Sequence, residues 1–529
     1  MSSQPHPVVL AVAPEPAQQR EGYAVQGFLG RMPNIGIMYL AGVLEDAGYP
    51  VVTFDEQYEG TPPLMLASKI NAQNPSLVGF TLYDVTMEPT HHTLSLLRLA
   101  YDGPIVVGGY TATFHAEDIL RAWPEVDYVI VREGETALRA LVAHLEGDIP
   151  VEEVPNLVYR DGDSIRSNPE AALTDVTTIS WPRRQWPESG DVTPIVTRRG
   201  CMSRCAFCSM VPFYDLKLGP ILRQRAPEDV VDEIAYCVDN GSTEFMIYDD
   251  DFGLSSKRER AWCAAFLDCL KERDLDIHWG VELRVADVVR GSELLRDFCD
   301  VGLSHISLGM ESMLPRQLKL YNKGYKQTDI FRAVEIAREL PLDFQTNVIF
   351  WDPWITLDEA AEHVDLLDQI RIQDQLGSAN FPVFAGALIP RRGTAFYDLL
   401  DDAGLLRQRP GCFYRYEYDF VDAEVRRFFK GIRRAYVERV RAVPRPEALW
   451  LFVPRLEHAG FTDLGAAYRA YGRAVAQAEF DYFRALIEAA CRRPGEEVLE
   501  HEITEIHDHF GPRVDACAAL LPEPTQQLV

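Results

Sequence analysis

The 529-residue chain predicts an α/β fold in successive parts: a doubly wound parallel sheet over residues 1–150, a joining segment with a hairpin over 151–190, a second α/β unit over 191–400 and a helical region over 401–529. Three observations carry that reading. Short apolar runs alternate with amphipathic stretches through the first part, which is the pattern of parallel strands joined by crossover helices. A further apolar run at 193–197 leads straight into three closely spaced cysteines, Arg199-Gly200-Cys201-Met202-Ser203-Arg204-Cys205-Ala206-Phe207-Cys208. Beyond residue 410, apolar and aromatic side chains recur at helical spacing, as at Leu464, Ala467, Tyr468 and Tyr471.

Taken in order, residues 7–14 are an unbroken apolar run and read as a first buried strand. Residues 36–48 follow as an amphipathic helix stopped by Gly48, and 50–55 as a second strand. Strands are expected at 77–81, 104–109 and 126–131, with helices between them. Such a sheet binds ligands at the carboxyl edge of its strands. The candidates there are the turn from Asp55 to Gly60, the Thr81-Leu82-Tyr83 loop and the Gly108-Gly109 pair. His91, His92 and His115 read as surface or capping residues. A hairpin is expected at Asp161-Gly162, and Trp181-Pro182-Arg183-Arg184-Gln185-Trp186-Pro187 reads as the linker into the second unit. Residues 522–529 read as a loose tail.

Composition narrows the functional classes. An apolar content of 47% with 10% aromatics is that of a globular core. A formal net charge of −28 argues against a nucleic-acid partner, because phosphate binding needs clustered Lys and Arg. No uninterrupted apolar run reaches the ~18 residues of a membrane span, and the first residues lack the basic and apolar segments of a signal peptide. A cytoplasmic protein without a membrane partner is therefore expected, and scattered single cysteines fit a reducing compartment.

The cysteine run carries the chemistry. A closed zinc site takes four ligands, usually as two separated pairs, whereas a [4Fe-4S] cluster takes one thiolate per iron. Cys201, Cys205 and Cys208 supply three, which leaves one iron open. The other seven cysteines stand singly and form no second pair. The competing reading is a chance grouping of core thiols. The loop follows a strand, at the end where barrel active sites are built.

This run, with Phe207 as its aromatic position, resembles the CxxxCΦxC signature of radical S-adenosylmethionine (SAM) enzymes. The resemblance implies a [4Fe-4S] cluster whose open iron chelates SAM, and reductive cleavage of SAM to methionine and a 5′-deoxyadenosyl radical. It also implies a partial (β/α) TIM-type barrel. Asp249 and Asp250 match a DDxF strand end and Glu311 a GxES strand end, and together with Arg284 and Phe207 they are the implied SAM-binding residues. Tyr321-Asn322-Lys323-Gly324 and the segments at 347–356 and 390–397 resemble further barrel motifs of the family, with Trp351 and Trp354 as candidate walls of a substrate pocket.

The first part resembles the Rossmann-like cobalamin-binding domain that precedes the barrel in one large class of these enzymes. The matching residues are Asp55, Gln57 and Gly60, then Thr81, then Gly108 and Gly109. Gln57 stands where the parent motif has the cobalt-ligating histidine, and Arg132, in Val131-Arg132-Glu133-Gly134-Glu135-Thr136, stands where glycine is usual. The resemblance implies cobalamin as a cofactor and methyl transfer from methylcobalamin to an unactivated carbon of a small metabolite. That activity belongs to natural-product or antibiotic biosynthesis, with a flavodoxin- or ferredoxin-type electron donor. The alternatives are a ring contraction or oxidative cyclisation with the same cofactors, and a non-catalytic iron–sulfur sensor or scaffold. Methylthiotransferases carry additional cysteines ahead of the run, and none precedes Cys201 here.

Overall fold

The computed structural model describes residues 6–15, 32–57, 60–185, 192–375, 384, 386–435, 453, 457, 460–492 and 500–520. Tyr58 and Glu59 of the Asp55 turn, Trp186 and Pro187 of the expected linker, and the tail 522–529 lie outside the described residues.

The first sheet has seven strands: β1 (Val8–Val12), β2 (Val51–Asp55), β3 (Leu77–Thr81), β4 (Ile105–Gly108), β5 (Tyr128–Ile130), β6 (Leu157–Asp161) and β7 (Ser164–Ser167). Their lateral order is β2-β1-β3-β4-β5-β6-β7. Strands β1 to β5 pair in parallel. All five residues of β1 are buried, because helices cover both faces of the sheet and an alternating polar position has nowhere to face water. The hairpin at Asp161-Gly162 forms as expected. It pairs antiparallel onto β5, so the hairpin extends the first sheet.

The second sheet comprises β8 (Thr193–Ile195), β11 (Glu244–Ile247), β12 (His278–Arg284), β13 (Leu303–Glu311) and β14 (Asp343–Val348). They lie side by side in chain order and pair in parallel, as in a partial barrel. Helices Pro227–Asp239, Lys257–Arg273, Val285–Cys299 and Gln327–Glu339 connect successive strands. Two of the barrel's helices start on capping boxes, Ser256 with Glu259 and Thr356 with Glu359. The short strands β9 (Arg198–Arg199) and β10 (Arg223–Gln224) pair antiparallel across the base of the cysteine loop. Gly200 opens that loop at φ +89°, where an added Cβ would lie 2.1 Å from the Ile221 carbonyl oxygen, so only glycine fits.

The carboxyl region departs from the all-helical expectation at its start, where β15 (Leu406–Gln408) and β16 (Tyr416–Tyr418) form an antiparallel hairpin. Helices Ala423–Ala435, Thr462–Arg492 and Glu500–Cys517 follow. Phe480, Phe483, Leu486 and Ile487 of the long helix join the barrel's own core. The carboxyl region's packing corrects the expectations for Trp351 and His115. Trp351 is fully buried, donates from Nε1 to the Phe384 carbonyl at 2.5 Å and packs on Phe350, so it is a core anchor and not a pocket wall. Trp354 packs its edge on Phe396. His115 is 5% exposed where a surface residue was expected, because the hairpin brings Phe413 and Tyr416 over its ring. Among the described residues no helix is long and apolar enough to cross a membrane. Replacing Trp351 with Ala is expected to lower unfolding stability by about 3–5 kcal/mol in chemical denaturation, the usual cost of emptying a large aromatic site.

Candidate functional site

The strand order sets where a ligand can enter. Because β1 lies between β2 and β3, the crevice outside the carboxyl ends opens between β1 and β3. A cavity of about 270 Å³ lies there, lined by Thr81, Gly108 and Gly109 on one side and by Tyr214, Tyr248 and Asp250 of the barrel on the other. Gly109 has φ +97°, and a Cβ on it would lie 2.8 Å from Thr81 Oγ1 and 3.2 Å from the Leu82 carbonyl oxygen. The chain is pinched there to bare backbone.

Among the described residues of the turn from Asp55 to Gly60, none of Asp55, Gln57 and Gly60 lines this cavity. The turn follows β2, the outermost strand, so it opens on the far side of β1. Gln57 is buried and donates to Glu15 at 2.8 Å. Asp55 accepts the Asn34 N–H, while Asn34 caps the helix Ile35–Asp46 through Ile37 N–H at 3.2 Å and donates to the Tyr83 hydroxyl at 2.9 Å. Asp55 therefore acts on the cavity at one remove, by fixing the helix start whose Ile35 and Gly36 line it. Sequence reading missed the tyrosines of the lining, Tyr39, Tyr110, Tyr214 and Tyr248. Isolated tyrosines carry no spacing signal.

Cys201, Cys205 and Cys208 are all free thiols and partly exposed. Ser203 donates its N–H to Cys201 Sγ at 3.4 Å, and Cys208 N–H closes a turn on the Cys205 carbonyl at 3.1 Å. Burial pushes the Cys201 thiol up to about 12 and the Cys208 thiol up to about 11, so thiolates in this loop need a bound cationic centre. Among the described residues no three ligating side chains stand close enough to hold a single metal ion. A cubane places each thiolate on a separate iron, and the three-cysteine donor set fits it. Phe207 packs edge-on against Tyr321, with Lys323 Nζ 5.7 Å from its ring centre.

The carboxylates at the end of β11 divide by partner. Asp249 is buried and spent on the chain itself, accepting from Thr197 N–H at 2.7 Å, from the Thr197 hydroxyl and from Arg198 N–H at 3.2 Å. Burial still raises it to about 6. Asp250 accepts from Gly200 N–H at 2.6 Å, next to Cys201, and faces the cavity. Arg284 is held at 2.8 Å by Asp287 and at 3.0 Å by Asp251, and donates to the Ser203 hydroxyl at 2.7 Å, so it braces the cysteine loop. Glu311 sits at φ +67° and accepts from Lys323 at 3.3 Å.

One residue absent from the sequence reading joins this group. Glu282 lies two positions before Arg284 on β12, between buried Val281 and Leu283, and solvent reaches its side chain. Enclosure, then Glu311 and Asp250, push its carboxyl up to about 7. Glu311 and Asp250 thus both sit within electrostatic reach of Glu282, with Lys323 as the cation paired to Glu311. A cationic ligand such as an ammonium is the natural counter-charge.

The seam between the two sheets is ionic and buried. Arg199 pairs with Glu133 at 3.2 Å and Glu135 at 2.5 Å, and Arg223 pairs with Glu133 at 2.7 Å. The glutamates belong to the first unit and the arginines flank the cysteine loop of the second.

Two outcomes follow. The folded state holds an extra proton on Glu282 between its ordinary 4.5 and about 7, so stability falls as pH rises through that window. Glu282→Gln is expected to flatten that part of the profile, read as the thermal midpoint from about pH 5 to about pH 8 for both proteins. Gly109→Ala is expected to weaken corrin binding by about tenfold or more, read by titrating hydroxocobalamin absorbance, since a tenfold loss needs only ~1.4 kcal/mol of steric penalty.

Comparison with known proteins agrees with this arrangement. The B12 binding domain model matches residues 24–142 and the radical SAM superfamily model matches residues 195–367. Anaerobic magnesium-protoporphyrin IX monomethyl ester cyclase of Cereibacter sphaeroides is 30% identical over 338 residues, which cover 60% of this chain and 54% of that protein. The chain thus spans about half the length of that relative. Among solved structures, the cobalamin-dependent S-adenosylmethionine radical enzyme OxsB, with aqua-cobalamin and S-adenosylmethionine bound, superposes with TM-score 0.68 at 15% identity, covering 96% of this chain and 84% of that one. The radical S-adenosylmethionine methyltransferase TsrM from Kitasatospora setae, with cobalamin and a [4Fe-4S] cluster bound, gives 0.61 at 18% identity, covering 77% of each chain. At these identities the structures share the fold. With both domain models in this order, and with the two sheet edges meeting over one cavity, the chain belongs to the radical SAM enzymes that carry an amino-terminal cobalamin-binding domain.

Proposed function

We propose that the protein is a cobalamin-dependent radical SAM C-methyltransferase that acts on an unactivated carbon of a small metabolite in natural-product biosynthesis. The observation that carries the reading is the shared cavity. Gly108 and Gly109 form its floor, and Tyr214 with Asp250 forms the opposite wall, while Asp250 also holds the Gly200 N–H that begins the cysteine loop. A group transferred from the floor therefore has a short path to a substrate held against the barrel. When bound, cobalamin supplies a transferable methyl group, and the cluster with S-adenosylmethionine supplies hydrogen-atom abstraction.

The chain's residues do the rest. Gly109 admits a ligand against bare backbone. The cavity tyrosines exclude water and orient a planar ring by contact. Asp250, Glu282 and Glu311 balance a cationic ligand, and Arg284 braces Ser203 between two of the cysteines. No side chain is assigned as a general acid or base, because abstraction of a hydrogen atom needs none.

A second reading, oxidative cyclisation with the same cofactors, is favoured by the 30% identity to a cyclase. A flavodoxin- or ferredoxin-type donor in a reducing cytoplasm completes either reading.

The test is anaerobic reconstitution with iron, sulfide and hydroxocobalamin, then turnover with SAM carrying a deuterated methyl group and candidate metabolites. 5′-Deoxyadenosine is expected from the wild type, and Cys201→Ala, Cys205→Ala and Cys208→Ala are each expected to reduce it to background. A product in which one hydrogen is replaced by CD3 supports methylation. Loss of hydrogen without added carbon supports cyclisation and defeats the first reading.

A further inference from the structure

We propose that Arg132 is a positioning residue that clamps the cysteine loop to the cobalamin-binding unit, an inference that rests on the functional reading above. Arg132 lies between β5 and the helix Glu135–Glu146 and lines the cavity. Its backbone sits at φ +63°, in the left-handed region where a side chain is strained and glycine is at ease. A strained non-glycine residue asks what its side chain does in return.

The guanidinium answers. Nη1 donates to the Phe213 carbonyl at 2.6 Å and to the Pro212 carbonyl at 3.1 Å. Those carbonyls end the short helix Met210–Phe213 that begins just past Cys208. Nε pairs with the Glu170 carboxylate of the joining segment at 2.6 Å, and the backbone N–H donates to Thr113 Oγ1 of the first unit at 2.8 Å, so both ends of the residue are fixed. Phe213 also packs on Tyr110, with ring centres 4.5 Å apart.

The neighbouring residues complete the grip. Glu133 and Glu135 hold Arg199, which lies two positions before Cys201, while Arg132 holds the backbone after Cys208. One four-residue stretch of the cobalamin-binding unit thus pins the cysteine loop at both ends. The carboxylates hold the incoming end by charge. Arg132 holds the outgoing end by hydrogen bonds, beside the Phe213 contact with Tyr110, and it does so through carbonyls that a glycine there would leave to water.

The consequence is that cluster retention depends on the Arg132 side chain, while corrin binding and global stability do not. The experiment uses the full chain, reconstituted anaerobically, as wild type, Arg132→Gly and Arg132→Lys. The readouts are iron release to a chelator, the electron paramagnetic resonance spectrum of the reduced cluster with and without SAM, hydroxocobalamin affinity and thermal midpoint. Arg132→Gly is expected to keep the midpoint, since glycine relaxes the backbone, and to keep cobalamin affinity within about twofold. It is expected to release iron about tenfold faster, in line with the loss of a residue that orients a metal's ligands, and to blunt the spectral change on adding SAM. Arg132→Lys retains one donor and is expected to fall between the two.

Unchanged iron release and spectra in Arg132→Gly overturn the proposal. So does a parallel fall in midpoint, corrin affinity and cluster content, which would mark a general structural role. Loss of corrin with an intact cluster overturns it too, making Arg132 a corrin contact. A wild type that assembles no cluster defeats the functional reading and the proposal together, whereas an intact wild-type cluster with an indifferent glycine variant defeats the proposal alone.

Discussion

Four charges share the seam between the two sheets, and the rest of the site depends on them. The side chains of Glu133 and Glu135 are each 7% exposed, Arg223 is 6% and Arg199 is 15%. Burial works most strongly, raising the Glu135 carboxyl, and the charge and hydrogen bond of Arg199, with a backbone N–H and the charge of Arg223, together outweigh it and leave the carboxyl below its ordinary value. Such a network adds little net stability, but removing one member leaves an uncompensated buried charge that costs about 3–5 kcal/mol. Its main effect is on geometry. It admits only the relative placement of the two units in which both carboxyl edges face the same space, and that placement makes the cavity.

The same low dielectric sets the chemistry of the cysteine loop. Desolvation drives the nearby acids upward, Asp249 to about 6 and Asp251 and Glu282 to about 7, although Arg198 and Arg284 pull the two aspartates back down. The thiols move up for the same reason. An interior in which anions are costly and nearby cations are already engaged favours a positively charged guest. An iron cluster and a sulfonium with an ammonium both carry positive charge on the partner atoms the chain would meet. The local electrostatics and the domain identities therefore agree without either being derived from the other.

What the sequence made legible was local. The alternation of strands and helices and the Asp161-Gly162 hairpin each depend on residues a few positions apart, and each formed where expected. What it hid was lateral. The Asp55 turn reads as a strand-end loop, which it is, but only the order β2-β1-β3 reveals that its strand is the outer one. Trp351 reads as a pocket wall until the helix Thr462–Arg492, more than a hundred residues later, lays Phe483 against it. His115 is hidden in the same way by Phe413 and Tyr416. Glu282 was passed over because a lone glutamate in a strand looks like an outward-facing position, whereas in a barrel the alternate face is the lumen.

The carboxyl region follows from the barrel's geometry. A sheet of five parallel strands ends on β14, which among the described strands has a partner only in β13. An edge of that kind needs cover. Beyond it the chain runs into Phe350 and Trp351, whose rings need an apolar neighbour. The long helix supplies one through Phe480 and Phe483, stacks Phe483 on Phe384 with ring centres 4.4 Å apart, and anchors itself at the start of β14 through Arg469 to Asp343 at 2.5 Å. The barrel and this helix therefore share one core. Separated from the helix, the barrel would expose an aromatic cluster directly beside the strand that carries Asn347. The carboxyl region is thus part of the barrel's wall, and the chemistry at the cysteine loop depends on packing that the chain completes only near its end.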